Sequence, residues 1–390
     1  MRIALAVLAL ALIAVSIPAL EATAADPFTI DAIVSQTGTA AFLGQAETKT
    51  LGILEEVINR EGGVNGRPVH FVIADDASNP AVAVQLFNQL LTHKPAAIIG
   101  TGFTATCNAI QPLVREHGPL MYCFSPSMTP VPGGYAFAGM VATSYLSHIM
   151  LRYFNDRGWH RIALINSTDA SGTEFMNAIT EALQRPENRG FTLVASERFN
   201  VSDVSVAGQM SKIKASSPDV LITWTVGAFP TLLHGIADGG LTMPVAACNC
   251  NMVPAQLSQY ASFLPKELYF PGPRPIVEGA VSKGPVRDAQ SVYFAAMKAN
   301  GLTRPDVAYI LAWDPALLVV DAFRHAGPNA TADQLRDYLE RLHGFAGING
   351  LYDFRDNLNR GIGENNAMMT KWDPQRGTFV AVSKAGGHIK

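Results

Sequence analysis

The chain has 390 residues, of which 48% are hydrophobic, with 29 basic residues set against 32 acidic ones and a formal net charge of -3. That near balance, with no basic cluster interleaved with aromatic residues, argues against nucleic acid or an anionic membrane surface as a partner. The length exceeds the roughly 100–200 residues of one compact unit and predicts two lobes.

Arg2 precedes an almost uninterrupted apolar run from Ile3 to Leu20, followed by Ala22-Thr23-Ala24. A basic start, an apolar stretch and a small-residue exit form a cleavable signal peptide over residues 1–24, which sends the mature chain out of the cytoplasm. A retained anchor is the competing reading, because the run nearly reaches the ~20 residues of a spanning helix, but the Ala-rich exit fits cleavage better. No later stretch is long and apolar enough to cross a bilayer.

Residues 28–34 then read as a strand, and residues 44–61 as a helix with Leu51, Leu54, Val57 and Ile58 at helical spacing, stopped by Gly62-Gly63. Asn65-Gly66 turns the chain into a strand at 69–74. Pro80 opens a helix bearing Val84, Phe87 and Leu91, and strands at 96–99 and 120–124 flank a helix at 106–117. The alternation resumes near Tyr145 with strands at 162–165, 192–198, 220–223 and 245–247, separated by helices at 171–184, 205–216 and 227–238. Such βαβ series predict two doubly wound α/β lobes, each built on a parallel sheet. Pro271, Pro273 and Pro275 stiffen a crossing segment, helices follow at 286–300, 307–325 and 332–342, and the tail reads as a small antiparallel appendage.

Four cysteines, Cys107, Cys123, Cys248 and Cys250, are too few for a disulfide scaffold, although an oxidising compartment permits a bridge. Cys248 and Cys250 are only superficially like zinc ligands, since a second pair and a nearby His are missing; they read as small, partly buried strand-end residues. A Cys107–Cys123 bridge is left open. Gly100-Thr101-Gly102-Phe103-Thr104-Ala105 formally matches a dinucleotide fingerprint, but the strand end at 120–124 lacks the ribose-binding acid that should follow. Nucleophile-elbow, zincin and Walker signatures are missing, and the nine His are scattered, so neither an enzyme nor a cofactor or metal site is expected. Asp75-Asp76 reads as capping the helix at Pro80, with cation binding or acid–base work as the alternative. Ser125-Pro126-Ser127-Met128-Thr129-Pro130 follows a parallel strand, where open α/β sheets bind ligands, and its hydroxyls and free amides can hold a carboxylate. A plain Pro-rich loop fits that segment equally well.

These segments together resemble the branched-chain amino-acid family of type I periplasmic solute-binding proteins, which feed ABC importers. The likeness runs from Thr37-Gly38 through Gly44, along Asn59-Arg60-Glu61-Gly62-Gly63-Val64-Asn65-Gly66, Asp75-Asp76 with Asn79-Pro80, and the 100–106 and 125–130 loops; it is weaker in the second lobe. It implies a first lobe of residues 26–143 and 273–345, a second of 144–272 and 346–390, three hinge strands between them, a membrane permease as partner and a monomeric receptor in the periplasm. Carried over, Thr104, Ser127 and Thr129 fall where hydroxyls meet a ligand carboxylate, Ser171 covers the ligand from the other lobe, and Val226 lines the same cleft. Where leucine-binding members place a Glu against the ligand ammonium, this chain has Cys250, and another acidic position aligns with Thr143. A buried ammonium without a counter-charge costs several kcal/mol. Phe42, Phe103, Phe124, Tyr145, Trp224 and Phe229 fall at or beside strand ends, suiting a planar apolar body. The expectation is a receptor for a small organic acid, aromatic or a keto acid, with a neutral amino acid or amide, a sensor role and a periplasmic oxidoreductase as alternatives. Asp169 or Asp238 could restore the lost charge if either reached the cleft.

Overall fold

The structure is a computed structural model that describes residues 26–277 and 280–389; the expected signal peptide lies outside the described residues. The first lobe lays down β1 (Phe28–Val34), α1 (Ala41–Arg60), β2 (Val69–Asp75), α2 (Pro80–Leu91), β3 (Ala97–Gly100), α3 (Thr104–Ile110), β4 (Leu120–Cys123) and β5 (Ala136–Ala138). Its sheet is parallel, in the order β2-β1-β3-β4-β5. Local chemistry sets the boundaries. Gly62 and Gly63, with φ of 94° and 64°, end α1 in a conformation that a side chain resists. Asn65 and Gly66, also at positive φ, close a turn in which Val64 and Arg67 exchange amide bonds at 2.9 and 3.0 Å. Asn79 caps α2 by accepting from the Ala81 amide at 2.9 Å, so the cap is not Asp75 or Asp76 as the sequence suggested. Those two carboxylates shape the preceding turn, accepting from the Ala77 and Ser78 amides.

The second lobe follows with α4 (Thr143–Arg157), β6 (Arg161–Ser167), α5 (Ala170–Gln184), β7 (Thr192–Phe199), α6 (Ala207–Ala215), β8 (Val220–Trp224), α7 (Phe229–Asp238), β9 (Val245–Ala247), α8 (Pro254–Gln259) and β10 (Leu268–Pro273). The chain then returns through α9 (Pro285–Ala299), α10 (Val307–Ile310), α11 (Trp313–Ala326), α12 (Ala332–Arg341), β11 (His343–Ala346) and β12 (Leu351–Asp353) to β13 (Ala367–Asp373) and β14 (Thr378–Ala381). The expected helix at 307–325 is broken, because Pro315 has no N–H to bond the Leu311 carbonyl and its ring crowds it.

The tail is not a separate appendage. β13 joins β10 antiparallel and β14 joins β13, completing a seven-stranded sheet ordered β14-β13-β10-β9-β8-β6-β7. Residues past 346 also stay with the first lobe longer than the sequence suggested. Asn359 donates to the Gly134 and Ala136 carbonyls at 2.8 and 2.9 Å, and the buried Arg360 donates to the carbonyls of Gly139, Met140 and Met128. A guanidinium satisfied by backbone oxygens thus fastens the last crossing segment to the first. Its burial pushes its pKa down to about 10.

Candidate functional site

The C-terminal ends of both parallel sheets face one another, which is where open α/β sheets leave room for a ligand. Between them lies a cavity of about 20 Å³, room for about one water molecule and too small for an organic ligand. The lobes are closed on each other, and an organic ligand can enter only if they part.

The first lobe supplies Leu43 from α1, Gly102 and Thr104 after β3, and Ser125, Pro126 and Ser127 after β4. Val307 and Leu311 reach the same wall from far along the chain. The opposite wall is Ser171 in the first turn of α5, Val226 after β8, and Cys248, Asn249 and Cys250 after β9.

Hydroxyl groups dominate the polar chemistry. Thr104 Oγ1 and Ser125 Oγ lie 2.9 Å apart, and the Ser127 amide donates to Ser125 Oγ at 3.3 Å. Ser127 Oγ meets Thr143 Oγ1 at 2.8 Å, a bond from the first lobe to the helix that opens the second. Each hydroxyl can redirect its proton, so the set can turn donors toward an anion without holding a formal charge. No lining residue, among those described, carries a charged side chain.

Of the residues singled out from the sequence, the structure brings Thr104, Ser127, Ser171, Val226 and Cys250 to this cavity. It leaves four outside. Thr129 is exposed and donates to Glu174 Oε1 at 3.3 Å, because the loop turns outward after the buried Met128. Phe42 and Phe103 are half-buried against the core behind the wall, and the Tyr145 hydroxyl accepts from Asn357 Nδ2 at 3.3 Å. Phe124, Trp224 and Phe229 are core residues, with Trp224 stacked on Phe175 at 3.9 Å between ring centres, so the expected aromatic cover is not at the cavity. Neither proposed replacement charge reaches it. Asp169 is consumed as the α5 cap, accepting from the Gly172 amide and the Ser167 hydroxyl at 2.9 Å, and Asp238 is exposed at the end of α7.

Both cysteine pairs are disulfides: Cys107–Cys123 ties α3 to β4 beneath the hydroxyl loops, and Cys248–Cys250 closes a short ring in the cavity wall. The second pair corrects the reading of two unlinked strand-end residues. The short 3-10 turn at Asn249–Asn251 folds residues 248 and 250 toward each other. Val307 and Leu311 were missed because nothing local to them marks a site. Leu43 carried a signal in its helical spacing with Leu51 and Leu54.

A larger open groove of about 1280 Å³ runs between α9 and β14 and carries Arg287, Lys298, Arg304 and Arg376, but it shares no residue with the inter-lobe cavity.

Two sheets joined by crossing segments, with one cavity where their strand ends meet, define a two-lobed α/β protein of the binding-protein type. The chain belongs to the periplasmic binding protein family, whose model matches residues 27–378. It is 25% identical over 197 residues to the Leu/Ile/Val-binding protein homolog 3 of Brucella melitensis, a match over 50% of this chain and 53% of that protein. The chain thus spans about half the length of the curated relatives it matches. An extracellular ligand-binding receptor from Rhodopseudomonas palustris HaA2 has the same fold, with a TM-score of 0.79, 21% identity and coverage of 91% of this chain and 99% of that one. A solute-binding protein of an ABC transporter from R. palustris, solved in complex with benzoate, gives a TM-score of 0.74, 17% identity and coverage of 91% and 95%.

Proposed function

We propose that the protein is the periplasmic solute-binding receptor of an ABC importer, that it captures a small carboxylate with an apolar body, aromatic or a keto acid, between its lobes, and that it delivers this ligand to a membrane permease. The observation that carries the reading is the lining of the cavity: Thr104, Ser125, Ser127 and Ser171 offer hydroxyls, Leu43, Val226, Val307 and Leu311 offer an apolar body, and no lining side chain is charged. Hydroxyl and amide donors suit a carboxylate, whereas an α-ammonium would be buried against a disulfide where relatives of the resembled kind hold an acid. The benzoate complex of the R. palustris protein supports the ligand class in a receptor of the same fold.

A neutral amino acid is the second reading, favoured by the match to the Brucella Leu/Ile/Val-binding homolog. Calorimetry with benzoate, phenylpyruvate and 4-methyl-2-oxopentanoate against phenylalanine and leucine decides between them. The carboxylate reading expects a keto acid to bind at least ~100-fold more tightly than its amino acid, about 2.7 kcal/mol. Equal or tighter binding of leucine than of its keto acid would return the protein to the amino-acid receptors.

A further inference from the structure

A carboxyl group that takes no part in the hydroxyl network lies behind the cavity wall. Glu47 is on the buried face of α1, and among the described residues no side chain bonds its carboxylate; the Gly102 amide is the one donor that reaches it. Asp314 shows how an equally enclosed acid is ordinarily held, accepting from the Ile348 and Asn349 amides, the Asn349 side chain and the Tyr352 hydroxyl at 2.8–2.9 Å. Glu47 has no such cradle.

Its placement supplies a reason. Any side chain at position 102 would strike both Glu47 Oε1 and Leu311 Cδ1, and Gly102 and Leu311 both line the cavity. The glycine therefore lets the carboxyl pack against the backbone of a residue that lines the cavity.

We propose that Glu47 is a specificity-determining residue of this cleft: held as a neutral acid behind Gly102, it admits a carboxylate ligand and must keep its proton while that ligand is bound. The inference rests on the carboxylate reading given above. An ionised Glu47 would set one anion against another across the cavity wall, whereas the protonated form removes the repulsion.

The groups facing Glu47 are few. The turn after β2 contributes Asp76, fully enclosed, with Oδ1 accepting from the Ser78 amide and Oδ2 without a partner. The loop after β3 contributes the Gly102 backbone, and the α10–α11 turn contributes Leu311. Asp75 is turned to solvent and bound by Thr37. Among the described residues, α9, α10, α11, β1 and β2, which also pack on α1, add no charge, those of Asp31 and Asp314 included, that acts on Glu47. Burial, and then the Asp76 charge, push the Glu47 carboxyl up to about 8, with the Gly102 amide opposing them.

The sign of the coupling follows. Below pH 8 the acid is already neutral and carboxylate affinity is flat; above it, binding must draw a proton from solution and affinity falls as pH rises. An ammonium ligand would do the reverse, gaining affinity as Glu47 ionises.

Benzoate and 4-methyl-2-oxopentanoate are the probes, titrated calorimetrically into the mature protein from pH 6 to 9 in pairs of buffers with different ionisation enthalpies. The expected result is affinity about tenfold weaker at pH 9 than at pH 7, with uptake of about half a proton at pH 8. Glu47→Gln should abolish both the pH dependence and the proton uptake, readouts that a merely structural residue would not move. Carboxylate binding with equal affinity at pH 7 and 9 and no proton uptake would overturn the role of Glu47 while leaving the receptor reading intact, as would a pH dependence that persists in Glu47→Gln. Failure of both acids to bind at every pH would overturn the carboxylate reading and this inference with it. Should the variant not fold, the proton count of the wild-type protein decides alone.

Discussion

Glu47 also makes a claim on the stability of the protein without any ligand, and the claim has a definite sign. Burial raises its folded-state pKa from an ordinary value of 4.5 to about 8, so the fold favours the neutral acid. The folded protein then holds one more proton than the unfolded chain between these two values. The stabilising contribution is fully present below about pH 4.5 and is lost as pH rises toward 8. At about 1.4 kcal/mol per pH unit, raising the pH from 5 to 8 should cost the wild-type protein about 4 kcal/mol through this group alone. That is a large share of the ~5–15 kcal/mol that separates folded from unfolded domains. Glu47→Gln keeps the shape and removes the titration, so the variant should be close to wild type at pH 5 and more stable by several kcal/mol at pH 8. Urea unfolding followed by circular dichroism at half-unit steps of pH measures the difference directly. Asp76 is coupled to Glu47, so the difference between the two curves reports the titration of position 47 together with the shift it imposes on Asp76. Curves that run parallel from pH 5 to 8 would show that Glu47 is ionised in the fold, or is not enclosed, and would refute the reasoning.

Other outcomes follow from the same structure. Thr104→Val removes a hydroxyl that faces the cavity and partners Ser125, and should weaken carboxylate binding by about 1–3 kcal/mol in calorimetry, while Thr129→Val, which lies outside the cavity, should change it by less than about 0.5 kcal/mol. Arg360→Met strips three backbone carbonyls of their donor at the crossing segments and should cost about 2–4 kcal/mol in urea unfolding; a loss below 1 kcal/mol would deny Arg360 its fastening role. A ligand held between two lobes is engulfed only if the lobes open and close about the crossing segments, so small-angle scattering should show a larger radius of gyration without benzoate than with it at saturation.

The two-lobed architecture was legible because apolar strands and amphipathic helices alternate so regularly that few topologies remain. The sequence reading and the cavity lining coincide in loops that follow parallel strands: Thr104 and Ser127 in the first lobe, Val226 and Cys250 in the second. The differences between that reading and the cavity lining arose one residue at a time. Ser127 and Thr129 are two apart, yet the first is buried and the second exposed, and only the path of the loop decides which hydroxyl looks inward. Val307 and Leu311 meet residues some 200 positions earlier, a long-range contact that no local pattern encodes. The aromatic residues went wrong because a ring at a strand end is as useful to the core as to a ligand, and here Trp224 and Phe229 went to the core. Glu47 could have been found. It continues the buried stripe of Leu51, Leu54 and Ile58 toward the helix start, and an acid on an apolar face calls for an explanation.

The distribution of acids around the cleft then bears on what the protein selects. A receptor for amino acids needs a carboxylate ionised at neutral pH and aimed at the ligand nitrogen, and the position aligned with that acid holds Cys250, locked in a ring with Cys248. The buried Glu47 sits instead in the first lobe, behind Gly102. There an ionised group would repel the ligand, and burial keeps it neutral up to about pH 8. Under the carboxylate reading the missing acid and the buried one act in the same direction, since both would lower the affinity for a zwitterion relative to a simple acid. Restoring the first should therefore be readable: Cys250→Glu in a Cys248→Ser background places a charge opposite the hydroxyls, and the ratio of leucine to 4-methyl-2-oxopentanoate affinity should rise by at least ~10-fold, about 1.4 kcal/mol. A ratio unmoved by that substitution, in a protein that still binds the keto acid, would mean that ligand charge is read somewhere other than this wall.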